Sequence, residues 1–382
     1  MLKVLNGVKV LEMGTFITGP AAGMYLADMG ANVIKVERPE TGDPFRAFKG
    51  GLYSPHYQTY NRNKRSITID TKNPEDLATF DELVKEADVF IQNFRPGVAD
   101  KLMVGAERLQ KINPRLVYVA ISGFGKDGPK KDRPAYDTVA QAASGWLRLL
   151  INPANPRVVG PAIADAMTGF YAAFGTLGAL LEREKTGKGR LVEVSMLEAM
   201  THFNLDDFTH YFSVGEVMNA YSRPSVSQSY VMECKDGKWV ALHMSSPQKF
   251  WDGLAASIKP DLFEDPRFAD RPARIEHQEE LMAVMRPIFK TKTRDEWCDI
   301  LAANDVPHSP MYDSTEALED EQAKHLGIKV KGQHPEMGEF TTVRFPVSFD
   351  GEKATSVTPP PTLGEHDEEV RAMLKAESGM EN

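Results

Sequence analysis

The chain has 382 residues, 42% of them apolar and 26% charged, with 45 basic and 54 acidic side chains and a net charge of −9. This length suggests two domains, and the composition excludes a disordered chain and argues against a general binder of nucleic acid or of anionic membrane. Two cysteines, Cys234 and Cys298, cannot build a disulfide framework and point to a reducing, cytoplasmic setting, and no apolar run reaches the roughly 18 residues of a membrane span.

The N-terminal MLKVLNGVKV has the pattern of a strand rather than of a signal peptide. Val8, Val10 and Leu11 form a first buried strand, and a loop from Gly14 to Gly19 leads to Pro20 at a first helical position. The helix AAGMYLADMG ends on Gly30, and Val33–Val36 is a second strand. This β-α-β unit favours a parallel sheet. Strands follow at Ser66–Asp70, Val89–Gln92, Leu116–Ser122 and Leu191–Met196. Asn73-Pro74-Glu75-Asp76 is a helix start, and residues 163–182 form a helix crowded with small side chains, expected to pack closely on a neighbour. Strands alternating with amphipathic helices mean a doubly wound α/β domain. The texture changes at the polar stretch YSRPSVSQSY, residues 220–229. A hairpin around Asp236-Gly237 and helices near 247–257, 277–289 and 294–303 then make a smaller α+β domain. Phe340–Phe349 is strand-like, Pro359-Pro360-Pro361 is extended, and a helix closes the chain.

Three patterns carry chemistry. Gly123-Phe124-Gly125-Lys126-Asp127-Gly128 fits a dinucleotide fingerprint, but the proline-bracketed segment after it cannot open the required helix. What remains is a glycine loop at the C-terminal end of a strand, where α/β proteins bind ligands. Cations cluster beside the strands: Arg38, Arg62, Lys64, Arg65, Lys72, Arg95, Lys101, Lys126, Lys130, Lys131 and Arg133. They suggest a basic rim suited to phosphates, against the alternative that they decorate solvated loops. Asp165 stands at the head of the small-residue helix, either as its N-cap or as a nucleophile kept ionised by the helix N–H groups. No metal-ligand spacing is found.

The strings GVKVLEM, GANVIKVERPETGDPFR, NRNKRSITIDTK, ADVFIQNFRPG, NPRLVYVAISGFGKDGP, AYDTVAQAASG, EKTGKGRLVEVSMLEAM, DPRFADRPAR and PPPTLGEH, in this order with the Asp165 segment, resemble the class III CoA-transferase family. That family includes formyl-CoA and carnitine CoA-transferases and α-methylacyl-CoA racemases. The resemblance implies an interlocked homodimer. Residues 1–205 would begin a large Rossmann-like CoA-binding domain, 206–225 would be a linker, 226–327 the small domain, and 328–382 would complete the large one. It implies that Asp165 attacks an acyl-CoA and carries first an anhydride and then a CoA thioester. CoA, bound as substrate with no tightly held cofactor, would touch Ile17, Thr18, Arg38, Ile69, Thr71, Lys72, Asn93, Phe94, Arg95 and Lys101. Ala135, Tyr136 and Asp137 would line the path to Asp165.

Two departures from the family pattern guide the expected function. Racemases carry a histidine where this chain has Tyr136, and a phenol is a weak base near neutrality, so transfer is favoured over racemisation. The glycine-rich loop of formyl-CoA transferase is replaced by residues 223–229, RPSVSQS, which argues against oxalate as acceptor and for a larger or more polar acid. A racemase of the same fold and a non-catalytic acyl-CoA-binding protein are the alternatives.

Overall fold

The computed structural model describes residues 2–49 and 51–377. Strands form where short apolar runs lie between turns: β1 (Lys9–Glu12), β2 (Asn32–Glu37), β3 (Lys64–Thr68), β4 (Val89–Gln92), β5 (Val117–Ser122) and β6 (Leu191–Ser195). They pair in parallel in the order β3-β2-β1-β4-β5-β6. That is the doubly wound order, whose direction of winding reverses between β1 and β4. β3 begins at Lys64 rather than Ser66 because Lys64, read as loop, is buried and neutralised by Glu12 on β1.

The helices used below are α1 (Thr18–Asp28), α2 (Pro74–Glu86), α3 (Asp137–Ala143), α4 (Ile163–Thr186) and α5 (Met196–Phe203). α1 starts two residues before Pro20, which costs nothing because first-turn N–H groups have no intrahelical partner. α2 starts as expected: Asn73 Oδ1 accepts from the N–H of Glu75 at 2.9 Å and of Asp76 at 3.4 Å. The partner of the small-residue helix α4 is α1. A Cβ on Gly169 would stand 2.7 Å from the Ala21 Cβ and 2.8 Å from the Thr18 carbonyl oxygen, so only glycine lets these backbones approach so closely.

Two compact units result. The first holds residues up to 147, 158–205 and from 326 onward; the second holds 148–157 and 206–325. Segment 206–225, expected as a linker, lies in the second unit. Much of it is helical, in Leu205–Val214 and the short helix Ser222–Val226, with an irregular connection over 215–221. This unit has an antiparallel sheet of β7 (Ser229–Glu233), β8 (Trp239–His243) and β9 (His308–Pro310). Helices Gln248–Ile258, Gln278–Phe289 and Arg294–Ala303 help enclose a core that includes Met232, Val240, Trp251, Phe289 and Trp297.

The chain end returns to the first unit. β10 (Lys329–His334) pairs antiparallel with β11 (Gly338–Val343). The strand expected over 340–349 therefore ends early, and its partner carries too many polar residues to be read as a strand. Beyond it, Thr68 N donates to Asp367 Oδ1 at 2.7 Å and Arg371 donates to the Thr68 carbonyl at 3.0 Å, which ties the last helix to β3. No helix among the described residues is long and apolar enough to cross a membrane.

Candidate active site

At the reversal between β1 and β4 the following loops diverge and leave room above the strand ends. Two cavities open above the strand ends, the narrow one at this reversal and the wide one beside it above β2 and β3. The wide one, about 1070 Å³, is lined by Arg38, Thr41, Ile69, Thr71, Lys72 and Phe94 among others. The narrow one, about 190 Å³, is lined by Ile17, Thr18, Asn93, Arg95, Ala135, Tyr136 and Asp165. Thr15 and Phe94 belong to the walls of both. The expected site residues are thus brought together with two exceptions. Lys101, exposed on the short helix Val98–Lys101, lines neither cavity, and Asp137 lies behind the wall.

The loop between the cavities is held from below. Asn93 Oδ1 accepts from Thr15 N at 2.9 Å; its amide donates to the Thr15 carbonyl at 2.7 Å and to the Thr18 hydroxyl at 2.9 Å. The Asn93 side chain is therefore spent on shaping the loop. Phe16 takes a left-handed backbone, φ 60°, a conformation that side chains enter only when fixed by their surroundings. Its N–H donates to Asp43 at 3.0 Å, and its ring meets Phe45 and Tyr136 edge-on.

Beneath this loop lies a buried ionic web. Glu12 bonds the ammonium groups of Lys35, at 2.9 Å, and of Lys64, and Lys35 also reaches the Gly14 carbonyl at 2.9 Å. Lys64 reaches the Pro20 carbonyl at 2.8 Å. Arg46 grips Glu37 with two hydrogen bonds, 2.8 and 2.7 Å. Burial alone would raise the Glu12 carboxyl, but the two ammonium groups outweigh it and hold it below its ordinary range. The sequence signal for this web was present, as charged residues inside apolar strands, but their partners lie on neighbouring strands and could not be matched.

The rim of cations is smaller than expected. Arg62, Lys64 and Arg65 flank the start of β3, the opposite sheet edge from the loops that follow the strands. They are engaged by Asp28, Glu12 and Glu369. Lys126 pairs with Glu193 at 2.7 Å. Arg38, Lys72, Arg95, Lys131 and Arg133 make no ion pair among the described residues, and each lines one of the two cavities. Unpaired cations around a cavity suit an anionic ligand. The glycine loop after β5 borders the narrow cavity through Gly123, where a Cβ would stand 2.3 Å from the Ala135 Cβ.

Asp165 is the third residue of α4, not its N-cap. The cap position is Ala162, which has no side chain able to bond. The helix N–H groups of Ala164 and Asp165 instead donate to Asp137 Oδ1, at 2.8 and 3.4 Å. The Asp165 carboxylate makes no hydrogen bond or ion pair among the described residues and faces the narrow cavity. Burial, and then the charge of Asp137, push its carboxyl up to about 7. The expectation that helix N–H groups keep it ionised is thereby reversed: burial and the Asp137 charge prevail, and the N–H groups of Ala164 and Asp165 bond Asp137 instead.

This raised carboxyl has a consequence for stability. A group at about 7 when folded and 3.8 as its ordinary value contributes stability below pH 4 that is lost as pH rises through 7. The loss is up to about 4 kcal/mol. Asp165→Asn is therefore expected to raise Tm relative to the parent, with the gain growing from pH 4 to pH 8. Thermal melts across that range check this; a gain independent of pH contradicts it.

A model of CoA-transferase family III matches residues 5–367. The human succinyl-CoA:glutarate CoA-transferase is 30% identical over 96% of this chain and 84% of its own length. The succinyl-CoA–D-citramalate CoA-transferase of Chloroflexus aurantiacus is 31% identical, covering 96% and 92%. A formyl-CoA:oxalate CoA-transferase of Rhodopseudomonas palustris is 31% identical, covering 97% and 93%. Among solved structures, a CaiB/BaiF family protein from Brucella suis superposes with a TM-score of 0.86 at 31% identity, over 97% of this chain and 99% of that one.

Proposed function

The chain belongs to CoA-transferase family III, and from that membership we propose that it moves CoA from an acyl-CoA donor to a carboxylic acid through covalent intermediates on Asp165. The observation that carries this reading is a carboxylate with no hydrogen-bond or ion-pair partner among the described residues, in a narrow cavity beside a wide one bearing cations that are likewise unpaired among them. The wide cavity suits the nucleotide, with Arg38 and Lys72 at its phosphates. The pantetheine arm runs past Thr15 and Phe94 and sets the thioester against Asp165.

An Asp165 oxygen attacks the thioester carbonyl, and CoA leaves as thiolate, giving an acyl-aspartyl anhydride. The thiolate then attacks the aspartyl carbonyl, releasing the donor acid as carboxylate and leaving an aspartyl-CoA thioester. The acceptor carboxylate attacks that thioester, expels the thiolate again and forms a second anhydride. Attack of the thiolate on the acceptor's carbonyl makes the new thioester and frees Asp165. Each step exchanges one activated acyl for another, so the barriers are small compared with direct exchange between two solutes.

Succinyl-CoA is the proposed donor and a dicarboxylic acid the proposed acceptor, in line with the activities for which the human and Chloroflexus relatives are named. The enzyme works as a homodimer in the cytoplasm. In support, Phe170, Phe174 and Leu181 on α4 are 51%, 67% and 66% exposed, an apolar face that a second copy would cover. Both cysteines are free. Incubation with succinyl-CoA and a panel of dicarboxylic acids is expected to give the new acyl-CoA. Solvent deuterium entering the α-carbon of a 2-methylacyl-CoA, with no transfer to any acid, would overturn the reading in favour of a racemase.

A further inference from the structure

We propose that Asp137 is a positioning residue for Asp165: from a separate segment it caps the catalytic helix and fixes where the nucleophile stands, rather than contacting CoA. The inference rests on the reading of Asp165 as nucleophile and deepens it. The geometry is direct. α4 follows Ala162, which offers no side-chain cap, so its first N–H groups need an acceptor from elsewhere. Asp137 Oδ1 supplies it, accepting from Ala164 at 2.8 Å and from Asp165 itself at 3.4 Å. Asp137 is held in turn by Gln141, which donates to its Oδ2 at 2.6 Å. Gln141 is buried, with its own amide oxygen unpartnered. It is therefore fixed by packing and by this one bond.

Both Asp137 oxygens are thus occupied within the protein, and the residue is absent from the walls of the narrow and the wide cavity. Two effects follow. The cap pins the first turn of α4 and with it the Cα of Asp165. The cap also consumes N–H groups that would otherwise lower the Asp165 carboxyl, while placing a negative charge beside it. A carboxylate kept less stable in this way is a stronger nucleophile once ionised. The other groups around Asp165 are Tyr60 on the helix Pro55–Tyr60, Tyr136 on the preceding loop, and the cavity cations Arg95, Lys131 and Arg133. Of all these, only Asp137 joins burial as a cause of the raised Asp165 carboxyl.

The test compares Asp137→Ala, Asp137→Asn and Asp165→Ala, measuring kcat and KM for succinyl-CoA from pH 5 to 9. Asp137→Ala is expected to lower kcat about tenfold or more with KM nearly unchanged. Asp137→Asn keeps an acceptor oxygen and so restores most of kcat. Because it removes the charge, it moves the acid limb of the profile down by about one pH unit. A loss confined to KM would make Asp137 a substrate contact and overturn the proposal, as would an unchanged kcat in Asp137→Ala. A readout without catalysis separates the two readings: the pH midpoint of the Tm gain that Asp165→Asn brings, measured with and without Asp137→Asn. A midpoint that moves down while Asp165→Ala keeps full transfer activity upholds the contact between Asp137 and Asp165 but rejects Asp165 as nucleophile, and with it the positioning role in catalysis. A midpoint that stays put rejects the positioning role alone.

Discussion

Replacing Asp165 by alanine is expected to lower CoA transfer by about 10⁴-fold or more while leaving acyl-CoA binding within a few-fold. The loss is large because, on the proposed mechanism, the side chain is the covalent partner in every step; without it no group in the narrow cavity would hold the acyl or the CoA. Tyr136 and Thr18 share that cavity, but neither a phenol nor an alcohol forms an acyl that a carboxylate can attack to regenerate a thioester with comparable ease. Binding survives because the proposed phosphate contacts, Arg38 and Lys72, line the other cavity. Steady-state rates and equilibrium binding of CoA on the same preparation check this. Transfer within tenfold of the parent would contradict it. Alanine is the safer substitution, since an asparagine there could be hydrolysed back to aspartate.

The largest effect on stability is expected at Glu12. Glu12→Gln leaves the ammonium groups of Lys35 and Lys64 buried with Asp43, 3.0 Å from Lys35, and the more distant Glu37, already paired with Arg46, to balance them. Glu12, Lys35, Lys64 and Asp43 are nearly inaccessible to water. Breaking a buried ion pair on one side costs about 3–5 kcal/mol, because the remaining charge keeps its desolvation penalty and loses its compensation. The loss reaches the site as well. Lys35 holds the Gly14 carbonyl and Lys64 the Pro20 carbonyl, so both ends of the loop between the cavities lose an anchor. Urea unfolding of the variant is expected to show this loss together with weaker CoA binding. A change below about 1 kcal/mol would mean that the web is worth no more than a surface pair.

The parallel sheet was legible because short apolar stretches such as Val33-Ile34, Val89-Phe90-Ile91 and Val117–Ile121 alternate with helix signals, and α2 because Asn73-Pro74 is a local signal. Hairpin β7–β8 was legible from Asp236-Gly237 for the same reason. What was hidden depends on residues far apart in the chain. Strand direction separates Arg38 and Lys72, which follow strand ends and border the site, from Arg62, Lys64 and Arg65, which stand at the start of β3 on the opposite sheet edge; the sequence reading put all five on one rim. The head of α4 looked like a site for an N-cap, and Asp165 was the only polar residue there. The true cap, Asp137, lies 28 residues earlier, and no local pattern links it to that helix. Asn93 was singled out for ligand contact, yet its amide is consumed by Thr15 and Thr18. Family resemblance carried the reading of Asp165 beyond what pattern allowed; the structure places its carboxylate on the wall of the narrow cavity.

The account turns on a covalent CoA thioester at Asp165. The most direct measurement is peptide mass spectrometry after mixing the enzyme with succinyl-CoA and quenching with borohydride. Reduction of an aspartyl thioester leaves an alcohol, so the account predicts homoserine at position 165 and no other change in that peptide. An unmodified Asp165 in enzyme that has turned over donor, or the label on another residue, would contradict it.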